Sequence, residues 1–128
     1  FYLLCGLSAA LTHLYIFPQS EIPVVGASGA ISGVMGAYFA MFPKATIIVM
    51  IPLFIFPYFF QISAFVYLGF WFLFQFFSGS LQALASQNQI TGIAWWAHIG
   101  GFAAGLLLFF FFLKPKAKNQ NVGYFVRK

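Results

Sequence analysis

"VVGASGAISGVMG", residues 24–36, places glycine, alanine and serine at short intervals within a chain that is otherwise strongly apolar. On a helix, Gly29, Gly33 and Gly36 of this stretch fall on one face. Small residues on one face allow the backbone of a second helix to approach closely. The stretch therefore predicts a tightly packed helix that begins near Ser28 and carries a hydroxyl at its first residue.

The composition of the whole chain is typical of a membrane protein. Of its 128 residues, 62% are hydrophobic and only 5% are charged, whereas about a quarter of the residues of a soluble domain are charged. Its apolar runs are long enough to cross a bilayer, which needs about 20 residues per helix. The chain opens within a helix and without a methionine, so we expect further sequence before Phe1. The predicted fold class is an all-α membrane protein, a polytopic bundle of transmembrane helices.

Prolines and polar residues divide the chain into predicted segments. Four transmembrane helices are predicted at about residues 1–17, 28–42, 63–77 and 93–113, followed by a basic cytoplasmic tail over residues 114–128. Residues 45–62 contain two prolines and many β-branched and aromatic residues, so we expect an extended, partly embedded connection. Residues 78–92, the most polar stretch, are predicted to form a loop.

The basic residues predict how the helices are oriented. Lys44 follows the second helix, and the other lysines and arginines follow the fourth. Basic residues favour the cytoplasmic side of short loops, which places the start of the second helix at the outer face. The net charge of +5 is therefore a sign of membrane topology, and no sequence pattern of a nucleic-acid interface accompanies it.

The second predicted helix is too short to cross a bilayer, and its length predicts a cavity. Residues 28–42 extend roughly 22 Å, whereas the hydrocarbon core is about 30 Å thick. Ser28 should therefore lie below the outer surface, where non-helical backbone is tolerated only inside protein or beside a water-filled cavity. We expect a wet cavity that opens outward, with the Ser28 hydroxyl at a helix N-terminus.

The fourth predicted helix supplies a partner for this hydroxyl. "WWAHIGGFAAG" places His98 near the outer end, with Gly101 and Gly105 on the same face. The glycines allow this helix to approach the second, so that the imidazole can reach Ser28. A serine hydroxyl hydrogen-bonded to an imidazole is the minimum for an activated nucleophile, and ionisable residues inside a membrane are usually functional.

Other polar residues compete for these roles. Ser32 lies one turn deeper than Ser28, and we interpret it as an interface hydroxyl bonded back to its own helix. His13, near the outer end of the first helix, is interpreted as structural, and Cys5 as a small core residue. Because the chain has no Asp and its one acidic residue, Glu21, lies in an outer loop, a hydrolase here would use a Ser–His dyad.

A resemblance to a known protein family rests on five segments: the motif "GASG" at the head of a short helix, "AHIGGFAAG" in a later helix, and "FYLLCGL", "FWFLFQ" and "AWWAHIGG". They are similar to the rhomboid family of intramembrane serine proteases, and the likeness extends to about Leu113. The resemblance implies a six-helix core. Residues 1–113 would then be the C-terminal part of a rhomboid protease domain, with the last four of its helices.

The resemblance also implies roles for individual residues. Ser28 would be the nucleophile and His98 the general base. The backbone N–H groups of Ala27 and Ser28 would be oxyanion donors, and Gly26 and Gly29 would be the motif glycines. The helix-packing residues would be Gly33, Gly36, Gly101 and Gly105. No cofactor and no metal are implied. The family also uses a His and an Asn on an earlier helix to hold the oxyanion, and the 128 residues contain no such helix, so we expect them to be inactive alone. Some members carry an aromatic residue at the position of Ser32 that stacks on the base, so the imidazole here needs another support.

The function expected from the resemblance is cleavage of peptide bonds in or near the transmembrane segments of membrane proteins. The expected partners are membrane lipid and transmembrane protein substrates, without nucleic acid, and the oligomeric state stays open. We expect a multi-pass protein of a bacterial plasma membrane with its active site opening to the extracytoplasmic side. Two alternatives stay open: a non-catalytic rhomboid-like protein that binds transmembrane clients, and a transporter or channel subunit.

Overall fold

The computed structural model describes residues 1–21, 23–54, 56–84 and 93–113. Within these ranges the elements are α1 (Tyr2–Ile16), α2 (Ser28–Met41), β1 (Thr46–Leu53), β2 (Phe56–Ser63), α3 (Ala64–Leu84) and α4 (Trp95–Phe112). Each helix begins close to its predicted start. Residues 85–92 of the predicted loop and the predicted tail over 114–128 lie outside the described residues.

The end of α3 corrects the sequence analysis. The boundary predicted between a helix over 63–77 and a loop over 78–92 is wrong, because α3 continues to Leu84. Gly79 lies against Trp96 of α4, and the indole N–H of Trp96 donates a hydrogen bond of 3.0 Å to the Gly79 carbonyl. Packing against α4 thus outweighs the weak intrinsic helix propensity of glycine and serine in this stretch.

The connection between α2 and α3 is an antiparallel β-hairpin. Its β-branched and aromatic residues favour extended backbone, and the structure confirms the predicted extended conformation over β1 and β2. These two paired strands correct the predicted all-α fold class, because the described residues are mostly rather than wholly helical. The pairing, which was not predicted from the sequence, places Pro52 opposite Pro57 near the turn. At the base of the hairpin, the Ala64 N–H donates to the Ala45 carbonyl at 2.8 Å, which ties the hairpin to the start of α3.

The space between the helices is filled mainly by small residues. Helices α1, α2 and α4 pack on one another, and α3 packs mainly on α4. The buried apolar residues are Cys5, Ala9, Ala30, Ala37, Ala64, Leu68, Ala97, Phe102, Ala104 and Phe109. Large apolar side chains cover the outside instead, and Leu3, Tyr15 and Phe111 are 83–85% exposed. Small residues between helices with large apolar residues outside are typical of helices packed in lipid.

Glycines set the distance between α2 and α4. A Cβ placed on Gly101 would overlap the carbonyl oxygen of Gly29, and one on Gly105 would overlap that of Gly33. The two helices therefore touch backbone to backbone and run in the same direction, with their N-terminal ends side by side. Because α2 has 14 residues, it is about 21 Å long, as short as predicted. This packing brings the first residue of α2 beside the first turn of α4.

Candidate active site

Ser28 is the first residue of α2 and is exposed at the helix end. The chain enters the helix through Gly26, whose φ of +138° is a conformation that residues with a Cβ rarely adopt. This explains the first glycine of "GASG". The first hydrogen bond of the helix runs from the Ile31 N–H to the Ala27 carbonyl at 3.0 Å. The N–H of Ser28 therefore has no partner within the helix.

The hydroxyl of Ser28 lies within hydrogen-bonding distance of an imidazole. Its Oγ is 2.9 Å from Nε2 of His98, across 70 residues of sequence. His98 lies in the first turn of α4, which begins at Trp95, and is half-buried. The structure thus brings together the two side chains that the sequence analysis selected as nucleophile and base.

The other nitrogen of the imidazole contacts a residue that the sequence analysis did not select. Nδ1 of His98 is 2.8 Å from Oε1 of Gln75 on α3, and Gln75 is only 5% exposed. The signal that could have indicated it is the position of one amide in the aromatic run "FWFLFQFF". Polar side chains inside a membrane segment are costly and usually face a partner or a cavity.

A second residue of α3 packs against the same imidazole. Trp71 lies one turn before Gln75, and its ring centroid is 6.1 Å from that of His98, with 35° between the ring planes. Trp71 also packs against Phe102 of α4, at 5.9 Å between centroids. One face of α3 therefore restrains the imidazole with both a hydrogen bond and an aromatic contact. This face provides the support that the sequence analysis found missing at Ser32.

The competing residues have different surroundings. Ser32 is 1% exposed and donates its hydroxyl hydrogen bond to the Ser28 carbonyl at 2.8 Å, which confirms its interpretation as a helix-bonded hydroxyl. Cys5 is fully buried, which confirms its place in the core. His13 is 8% exposed, and its ring packs against Phe17 with 5.3 Å between centroids.

A cavity of about 820 Å³ lies beside the Ser28–His98 pair. Its walls come from α1, from the segment that precedes α2, and from the adjoining ends of the other helices; Ala9, His13, Val24, Gly26, Ser28 and His98 are among the lining residues. A volume of this order is typical of a ligand-binding cleft. A cavity at this end of α2 is what the short length of the helix predicts. Both the hydroxyl and the imidazole line it, so a bound molecule could reach them together.

A family model for the Rhomboid domain matches residues 1–115. The match includes every described element, and with them the Ser28–His98 pair and Gln75. The chain belongs to the rhomboid family. No curated protein and no solved structure matches it.

Family membership and helix composition together assign this rhomboid chain to a membrane. Helices α3 and α4, of 21 and 18 residues, are long and apolar enough to cross one, and α1 is a shorter apolar helix. Crossing by α1 and α2 and the orientation of the bundle stay predictions.

Proposed function

We propose that this rhomboid protein is an intramembrane serine endopeptidase that cleaves peptide bonds in or near transmembrane segments of membrane proteins. The observation that carries the proposal is the 2.9 Å distance between Ser28 Oγ and His98 Nε2 at the wall of the cavity. A hydroxyl is a weak nucleophile at neutral pH, and an adjacent imidazole that accepts its proton makes it an effective one. The family match supports the same reaction class.

In the first half of the proposed reaction, the Ser28 oxygen attacks the carbonyl carbon of the substrate peptide bond. The hydroxyl proton passes to Nε2 of His98 as the new C–O bond forms. The imidazolium then donates this proton to the leaving nitrogen while the C–N bond breaks. The amine product leaves, and the acyl half of the substrate stays on Ser28 as an ester.

In the second half, water enters the cavity and attacks the ester carbonyl. His98 Nε2 accepts a proton from this water and returns one to Ser28 Oγ as the ester C–O bond breaks. The carboxylic acid product leaves with the free enzyme restored. The net reaction consumes one water for each peptide bond.

The N-terminus of α2 supplies groups for the negative oxygen of the tetrahedral intermediate. The Ser28 N–H has no partner within the helix, and the positive end of the helix dipole lies at this point. We assign the backbone N–H groups of Ser28 and Ala27 to this role. One well-placed donor of this kind contributes about 10²–10³ in rate. A His and an Asn on an earlier helix, implied by the family resemblance, would add donors in the full-length protein.

The proposed substrate class follows from the cavity and the membrane. A peptide bond in a transmembrane helix is shielded by its own helical hydrogen bonds, so the substrate must unwind before Ser28 can attack. A cavity beside the end of the short helix α2 is a place where unwound backbone and water can meet. Because Lys44 follows α2, we place this cavity at the extracytoplasmic side of a plasma membrane.

The test is cleavage of a transmembrane model substrate by the full-length protein in liposomes, together with reaction of the protein with a fluorophosphonate probe. Ser28→Ala and His98→Ala should each abolish cleavage, and Ser28→Ala should abolish labelling. Ser32→Ala is the matched control, because it removes a hydroxyl from the same helix and should leave both readouts close to the parent's. Cleavage that survives Ser28→Ala would refute the assignment, and a parent that neither cleaves nor labels would favour the client-binding alternative.

A further inference from the structure

Gln75 presents a buried, uncharged amide to the candidate base. Its side chain reaches from α3 to α4, with Oε1 at 2.8 Å from His98 Nδ1. It is among the few buried polar side chains of the described residues. Buried polar groups are almost always hydrogen-bonded, so at this distance the amide and the ring nitrogen share a hydrogen bond.

The direction of this hydrogen bond decides the protonation of the ring. An amide oxygen carries no hydrogen and can only accept, so Nδ1 of His98 must donate. A neutral imidazole has one N–H, which leaves Nε2 with a free lone pair. That lone pair faces Ser28 Oγ at 2.9 Å. In the other tautomer, Nε2 would carry the proton and could not accept one from Ser28.

We propose that Gln75 is a positioning residue that selects the Nδ1–H tautomer of His98 and holds its ring toward Ser28. The proposal rests on the proposed function, because tautomer choice matters only if Nε2 acts as a base. In soluble serine proteases a carboxylate holds the histidine in the required tautomer. The Gln75 amide takes the place of that carboxylate.

An amide suits this position because the surroundings are apolar. Helices α2, α3 and α4 contain no Lys, Arg, Asp or Glu, and a lone carboxylate among them would be costly in a membrane. Gln75 provides the acceptor without the charge. It therefore orients the imidazole but gives the imidazolium less electrostatic stabilisation than a carboxylate would.

The direct test reads the tautomer by ¹⁵N NMR of the full-length protein labelled at histidine. Chemical shifts separate protonated from bare ring nitrogens, and a His98→Gln sample identifies the signals of His98. In the parent, Nδ1 should be protonated and Nε2 bare. In Gln75→Leu, which removes the acceptor at similar size, a substantial share of the proton should move to Nε2. An unchanged proton position in Gln75→Leu would overturn the proposal.

Kinetics provide the second readout. Gln75→Leu should lower kcat by about 10- to 100-fold, as expected for loss of one hydrogen bond to a group that becomes charged, with KM nearly unchanged. Gln75→Glu keeps an acceptor at the same reach and should recover most of kcat. If Gln75→Glu remains as impaired as Gln75→Leu at pH values where its new carboxyl group is ionised and can only accept, the acceptor role is wrong.

Two control variants separate this role from packing. Leu68→Ala loosens α3 two turns before Gln75, at a site that is 4% exposed, and should lower thermal stability while the His98 tautomer stays as in the parent. Gln61→Leu makes the same chemical change at an exposed position of the hairpin. It should change neither the His98 tautomer nor kcat. If the parent itself fails to react with the fluorophosphonate probe, the proposed function fails, whereas the tautomer measurement still tests the Gln75–His98 bond.

Discussion

The carbonyl oxygen of Gly29 occupies the space that a Cβ on Gly101 would take. This contact lies directly below the Ser28–His98 pair, one residue after the serine on α2 and one turn after the histidine on α4. Any side chain at this level would separate the two helices. The 2.9 Å distance between Ser28 Oγ and His98 Nε2 therefore depends on the absence of a methyl group on the facing helix.

The first prediction concerns this contact. Gly101→Ala should destabilise the fold by about 1–3 kcal/mol, the usual cost of overpacking, and should reduce cleavage because the hydroxyl and imidazole move apart. Thermal unfolding and cleavage of the model substrate measure the two effects. Gly69→Ala is the matched control, since the nearest atom to its added Cβ is Phe39 Cε2 at an ordinary 3.8 Å. It should stabilise α3 by about 0.5–1 kcal/mol, and a loss equal to that of Gly101→Ala would contradict the contact argument.

The pairing of Ser28 with His98 could be predicted because its signals are local. Glycines at helical spacing indicate a close-packed face in each helix separately. When each face carries one polar residue at the same end, the two polar residues are expected to lie next to each other. The positions of the basic residues predicted that α2 and α4 run in the same direction. The contacts of Gly29 with Gly101 and of Gly33 with Gly105 confirm this direction.

The second prediction concerns the turn before Ser28. Gly26→Ala meets no steric obstacle, because the nearest atom to an added Cβ is Ser28 Oγ at 3.9 Å. The cost is conformational, since φ is +138°, and should be about 1–3 kcal/mol. We expect slower fluorophosphonate labelling because the relaxed turn displaces Ser28. Val25→Ala, at the exposed neighbouring residue, should label at the parent's rate; equal rates for the two variants would show that the turn does not position the serine.

Gln75 could not be predicted because its role depends on how α3 is rotated about its axis. One glutamine in an aromatic run has no periodic partner that shows which way it faces. The rotation is fixed by packing, with Leu68 buried and Gly79 against Trp96 on the same side. The hairpin escaped prediction for a related reason. β-Branched and aromatic residues indicate extended backbone, but the register of two strands depends on contacts between them.

The third prediction concerns the aromatic contact of the base. Trp71→Leu should lower kcat by about 2- to 10-fold, the equivalent of one aromatic pair, because the imidazole then samples more orientations. Trp71→Phe keeps an aromatic face and should lose less. Phe72→Leu is the control: Phe72 packs against Phe102, with 4.8 Å between centroids, so it should affect stability more than kcat. The order of kcat values among the three variants is the measurement, and a lower kcat for Phe72→Leu than for Trp71→Leu would overturn the role of Trp71.

The fourth prediction concerns the hydrogen bond that joins the later part of α3 to α4. Trp96→Phe keeps an aromatic ring but removes the N–H that donates to the Gly79 carbonyl at 3.0 Å. We expect a loss of about 1 kcal/mol in the free energy of unfolding. A smaller decrease in kcat should accompany it, because α3 also carries Gln75.

Trp95→Phe is the matched change at the neighbouring residue, where Trp95 makes an edge-to-face contact with Phe74 at 5.7 Å that a phenyl ring can also make. Thermal unfolding should therefore separate the two variants, and a Trp95→Phe protein that is the less stable of the pair would show that the hydrogen bond to Gly79 is not what holds α3 to α4.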